Sequence, residues 1–333
     1  MPEPLPIRLT HRALKHLKYP AISLGVASFA LLFGLYPLFA ASVIDGQIVV
    51  FDDELELAGF FLIVSILPPY FLTCLVAGIR LSDRTQASLL AQSPLADRRS
   101  ITERKSRLGR FWWVSVLFGL PLANINVDWS AIVFDPAARG FTESLAILSG
   151  NYLIWFLSSA MVYIFFLEGQ AFHKIGQIVS INLYDLNQLN GFGRASLAGF
   201  LFAMVAMALS IFQSLDQDFS FGRYRQVLIV GIPAAVALTL LPSWSIHRRI
   251  RKRKMEHLAE IDEQIAITSS NLDDRALGRL NGLLARRAIV AGFRTWPMDF
   301  STFARFILYV FIPPLAWAGA ALMEIFLDTV LGT

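Results

Sequence analysis

The residues of this 333-residue chain that could do chemistry are few and scattered. Its five histidines (His11, His16, His173, His247 and His257) all lie in polar segments or at their edges. A haem held between membrane helices needs inward histidines, so that site is excluded. The lysines stand at 15, 18, 105, 174, 252 and 254, none inside an apolar stretch, which excludes a retinal Schiff base. A single cysteine rules out a disulfide framework and a cysteine zinc site. No HExxH and no Walker motif occurs, and Gly191-Phe192-Gly193 is too short to be a phosphate loop. The acidic run Asp52-Asp53-Glu54-Leu55-Glu56 lacks EF-hand spacing and reads as capping of the following helix. No acid and base share a supported spacing. The expectation is therefore no catalytic residue, no cofactor and no metal ligand.

Three polar or amphipathic constellations remain. Pro121, Asn124 and Asp128 share a helical face, and Asn151, Ser210, Gln213, Glu324 and Asp328 fall near the same depth of other apolar stretches. Polar groups at membrane depth mark functional sites by default. Asn124, Asp128, Asn151, Gln213, Glu324 and Asp328 are thus candidates to line an outward-facing acidic vestibule for a cation or polar amine. Glu168 and His173 form a candidate juxtamembrane sensor, because histidine titrates near neutrality. Met255, Leu258, Ile261 and Ile265 recur at helical spacing, and Leu277, Leu280 and Leu284 supply a second stripe. Between them Ser269-Ser270-Asn271 reads as a capping cluster, with Asp273 and Asp274 in the next first turn. These features predict two antiparallel helices, a candidate docking surface for a cytosolic protein or a second copy.

The elements that must position these groups follow from composition. The chain is 55% hydrophobic and 16% charged, with mean hydropathy +0.55. A soluble domain carries about 25% charge. A soluble enzyme, a disordered chain and a fibrous chain are excluded. Stretches of roughly 20 apolar residues suit crossing of a bilayer, and seven fall at about 21–43, 57–79, 111–127, 145–167, 195–215, 227–246 and 303–326. The third is the weakest. The expected fold is all-α, a polytopic membrane protein of about seven transmembrane helices with a cytosolic helical hairpin between the sixth and seventh. With the N-terminus in the cytosol, every Lys and Arg of the 29 except Arg139, Arg223 and Arg225 lies inside. The opposite orientation breaks the positive-inside rule. The C-terminus is then outside, in the plasma (inner) membrane of a bacterial-type cell.

The predicted divisions are a basic lead over 1–20, a six-span bundle over 21–246, the hairpin over 247–301, and a last span with a short outer tail over 302–333. His11, Arg12, Lys15 and Lys18 can meet anionic lipid headgroups. Nothing calls for nucleic acid. Asp299 is placed to cap the last helix, while Pro68-Pro69 and Pro313-Pro314 fall near mid-helix of their spans. The functional expectation is a non-catalytic sensor or scaffold working through the hairpin. A channel or carrier using the vestibule and a lipid-directed enzyme are the alternatives.

Overall fold

The computed structural model describes residues 19–40, 42–44, 47–49, 58–91, 111–125, 141–210, 212, 221–270, 274–298 and 300–331. Nine helices run in chain order through them: α1 (Pro20–Ala40), α2 (Ala58–Ala91), α3 (Phe111–Ile125), α4 (Phe141–Ile178), α5 (Asn190–Leu209), α6 (Phe221–Ser269), α7 (Asp274–Ala291), α8 (Phe300–Val310) and α9 (Ile312–Leu331). A 3-10 turn, Leu186–Leu189, precedes α5. Among the described residues, the helical plan is interrupted by one small addition. Strands β1 (Ser42–Ile44) and β2 (Gln47–Val49) pair antiparallel between α1 and α2, with Val43 opposite Ile48.

Five helical segments are long and apolar enough to cross a membrane: Gly59–Ala91, Ser144–Ile178, Leu186–Leu209, Val227–Ser269 and Ser301–Gly319. The first and third predicted stretches correspond to shorter apolar helices, Pro20–Tyr36 and Trp113–Ile125. Large apolar side chains are exposed along these elements, including Val26, Leu31, Trp113, Leu117, Ile229 and Leu315. In water such a surface would drive association, whereas hydrocarbon accepts it. The chain is thus consistent with an integral membrane protein.

Helices α2, α4, α5 and α6 form the centre; α1 lies against α2, α3 against α4, and α8 and α9 against α5. The α2–α4 seam buries Ile63, Leu67, Phe71, Cys74 and Leu75 against Leu157, Met161 and Ile164. A second core lies further along the same helices. It gathers Leu89, Phe172, Val179, Leu186, Phe192, Ile246 and Ile250 from α2, α4, the turn region, α5 and α6. This second core is the junction between the apolar bundle and its charged extension.

Helices at the junction approach closely through glycine. A Cβ on Gly176 would collide with the Ser245 side chain and lie 3.3 Å from the backbone nitrogen of Ile246. Gly176→Val is expected to destabilise the protein by about 1–3 kcal/mol through overpacking, read as a lower thermal midpoint in detergent. Gly278, on α7, has nothing within 4 Å of such a Cβ. Gly278→Ala should therefore hold or raise the midpoint, since alanine is the better helix former.

The two proline pairs behave differently. Pro68 and Pro69 lie inside an unbroken α2, whereas α8 stops at Val310 and α9 restarts at Ile312. Pro313-Pro314 therefore opens a helix rather than kinking the middle of one. Proline lacks an N–H, which costs nothing in a first turn where that donor has no partner anyway.

Candidate functional site

Two of the six vestibule residues have described side chains. Asn151 on α4 is buried and donates through Nδ2 to the Ala123 carbonyl of α3 at 3.0 Å. One residue on, Tyr152 donates its hydroxyl to Asn124 Oδ1 at 2.9 Å. Asn124 also returns Nδ2 to the Leu120 carbonyl at 2.8 Å. The first two bonds tie α3 to α4, the use that polar side chains commonly find between membrane helices, while the third stays within α3. Glu324 and Asp328 lie four residues apart on α9, with side chains outside what is described. Asp128 and Gln213, like Asp299 and Asp273, lie outside the described residues. Asn151 also borders a cavity of about 90 Å³ between α2, α4, α5 and α6. Its other polar linings are Ser158 and Ser210; the rest of the wall is apolar, including Phe60, Phe71, Trp155 and Met207. That chemistry suits an apolar occupant better than a cation.

Glu168 is buried on α4, where it accepts from Ser82 Oγ. Gln86 donates Nε2 to Glu168 Oε2 at 3.0 Å and to Ser82 Oγ at 2.8 Å. Ser82 and Gln86, both buried, stand one helical turn apart on α2. A carboxylate taken out of water needs such donors to offset its lost hydration. His173 is half-buried five residues further along α4, and its Nδ1 is buried without a partner among the described residues. Five residues apart on one helix, Glu168 and His173 lie on different faces. The sequence reading missed Ser82 and Gln86, because 80–110 reads as a polar connection. Their i,i+4 spacing has meaning only once α2 is seen to continue through them.

At the junction the basic run of α6 divides by face. Arg249 turns inward and donates Nη1 to the carbonyls of Gly176 and Val179 at 2.8 Å each. It thereby caps the end of α4, where the exposed carbonyls favour a cation. Lys254 does the same for α7, donating to Ala291 at 2.6 Å and Phe293 at 2.8 Å. Arg294 reaches Asn187 and Asn190 Oδ1 at 3.1 Å each, tying the following loop to the start of α5. His247 Nδ1 bonds the Thr295 carbonyl at 3.0 Å, and its ring stacks on Trp296 at 4.1 Å. A carbonyl only accepts, so Nδ1 is the donor there.

Beyond the junction α7 lies antiparallel along the distal half of α6. Arg287 Nε meets Asp262 Oδ1 at 2.5 Å, which holds the guanidinium above its ordinary pKa. Arg286 contacts His257 Nε2 at 3.2 Å, and His257 Nδ1 pairs with Glu260 at 3.0 Å. Ile261 and Val290 are buried, and Leu258, Ile265 and Leu280 are half-buried. Met255, Leu277 and Leu284 are exposed, as are Ile267 and Ile289. The two stripes therefore split, because two helices alone cover only one side of each other. Among the described residues no group of His, Cys, Asp and Glu could hold a metal ion.

Comparison with known proteins finds no match: no family model fits the chain, and no curated protein or solved structure is similar to it.

Proposed function

We propose that this is a seven-span plasma-membrane protein, N-terminus cytosolic and C-terminus outside, which acts without catalysis as a scaffold or sensor. In this reading α1 and α3 make the first and third crossings. The hairpin over 247–301 stands in the cytosol and docks an apolar helical face of a partner protein. One observation carries it. Helix α6 runs unbroken from Phe221 to Ser269, so the last part of a membrane helix is itself the first arm of the hairpin. The hairpin then leaves Leu277, Leu284 and Ile289 uncovered on α7. Leu277 and Leu284, seven residues apart, share one face, and an apolar face at i, i+7 spacing is what helix-in-groove partners bury.

The test places a photoreactive residue at Leu284, and separately at the exposed polar position Arg279, in intact membranes. A discrete protein adduct is expected at 284 and not at 279. Leu277→Glu should weaken that adduct about tenfold or more, since one buried leucine contributes about 1.5–3 kcal/mol. Lipid adducts alone, or equal adducts at both positions, would overturn the docking role.

A further inference from the structure

We infer that the outward face of α6, where its apolar part ends, binds the phosphate headgroup of an anionic phospholipid. An open groove of about 500 Å³ lies there, lined by Trp244, His247, Arg248, Arg251, Lys252 and Met255. These positions fall on one helical face, at spacings of 3, 4, 7, 8 and 11 from Trp244. The opposite face holds the buried Ser243, Ile246 and Ile250, so the groove looks away from the bundle, toward lipid.

The cations of this groove are available. Arg249 and Lys254, on the inner side of the same basic run, are consumed by helix carbonyls. Among the described residues, Arg248 and Arg251 have no ion-pair partner, and Lys252 has only a long, exposed contact of 3.8 Å with Glu256. No acidic side chain lines the groove. Depth agrees with a headgroup. Trp244 ends the apolar part, as amphipathic rings do at an interface. A rise of 1.5 Å per residue puts Arg248 about 6 Å, and Arg251 and Lys252 about 10–12 Å, beyond it. The polar zone of one leaflet spans roughly 5–8 Å, so flexible basic side chains at these levels bracket the phosphate. His247, fixed by Thr295 and stacked on Trp296, gives the groove a rigid floor that a mere scatter of surface cations lacks. The inference takes from the proposed function only that α6 crosses the bilayer. It stands whether or not the hairpin docks a protein.

The experiment uses the full chain in a neutral detergent, titrated with phosphatidylglycerol or phosphatidylcholine, and reads bound lipid by native mass spectrometry. Phosphatidylglycerol should bind preferentially. Combining Arg248→Gln, Arg251→Gln and Lys252→Gln should weaken it about a hundredfold, near fivefold for each cation. Phosphatidylcholine binding should not change. A charge-matched control, Arg253→Gln with Arg275→Gln and Arg279→Gln, should bind as the parent does. Equal loss in the control would make the effect bulk charge and overturn the site. So would retained preference in the groove variant, or full competition by millimolar inorganic phosphate, which would make the ligand a free anion. All six substituted positions are exposed, and an unchanged thermal midpoint without lipid certifies the fold of each variant.

Discussion

Glu168→Ala is expected to destabilise the protein by about 2–4 kcal/mol, the largest effect of any polar truncation in the bundle. The cause lies in what it leaves behind. Gln86 loses an acceptor at 3.0 Å and Ser82 loses the carboxylate it donates to, in a setting where both are buried. A buried donor deprived of its partner costs about 1–3 kcal/mol, and more where the lost acceptor was charged. Glu168→Gln keeps an oxygen in place and should recover much of the loss. Ser82→Ala should cost about 1 kcal/mol, because Gln86 still reaches the carboxylate. Thermal unfolding in detergent checks the order. Combining Ser82→Ala with Glu168→Ala should cost less than the two separate losses together, since both act on one network. If Glu168→Gln proves as damaging as alanine, or the two changes simply add, the residue is not held by this cluster.

The same cluster shows what the sequence could and could not reveal. Glu168 was visible as an acid at the hydrocarbon edge, but its partners were not. Ser82 and Gln86 follow an apolar stretch and sit among Arg80, Asp83 and Arg84, so local polarity reads as the end of a helix. In the structure α2 continues to Ala91, because Leu89 and Leu90 dock into the junction core. That is a tertiary cause with no local signal. The prolines carry a similar lesson. Pro68-Pro69 and Pro313-Pro314 are the same dipeptide in equally apolar settings. The first sits in a helix packed by α1, α4 and α5, which offsets the lost backbone bonds; the second belongs to a segment packed against α5, and there the helix divides. What was legible is what rests on hydropathy and period: the apolar helices, and the helical spacing of the stripes on α6 and α7. The capping cluster was not, since Ser269 and Ser270 donate back to the Ala266 and Ile267 carbonyls of α6. Of those stripes, which members face inward depended on the packing of α7, so Met255 and Leu277 are exposed beside a buried Ile261.

Arg253→Pro is expected to have the largest effect on how the hairpin is held, while leaving the bundle folded. Its side chain is exposed, so the substitution removes little packing. Its backbone is interior to α6, where proline deletes one helix bond and clashes with the carbonyl four residues back, at about 3 kcal/mol or more. The break falls between Arg249, which anchors α6 to the end of α4, and Lys254, which anchors the end of α7. The anchors on either side would then belong to separate bodies. With the parent helix intact, Asp262 stands about 24 Å beyond Ile246 along one rigid rod. Spin labels at Gln177 on α4 and Ala285 on α7 should therefore give a single narrow distance distribution. The chain's one cysteine, Cys74, is buried, so labelling is confined to the introduced sites. Arg253→Pro should broaden and shift that distribution, while Arg253→Ala should leave it unchanged. An equally narrow distribution in the proline variant would mean that the loop contacts of Arg294 and Trp296 hold the hairpin by themselves. The unbroken helix would then not be what links membrane to hairpin, and the scaffold reading would lose the observation that carries it.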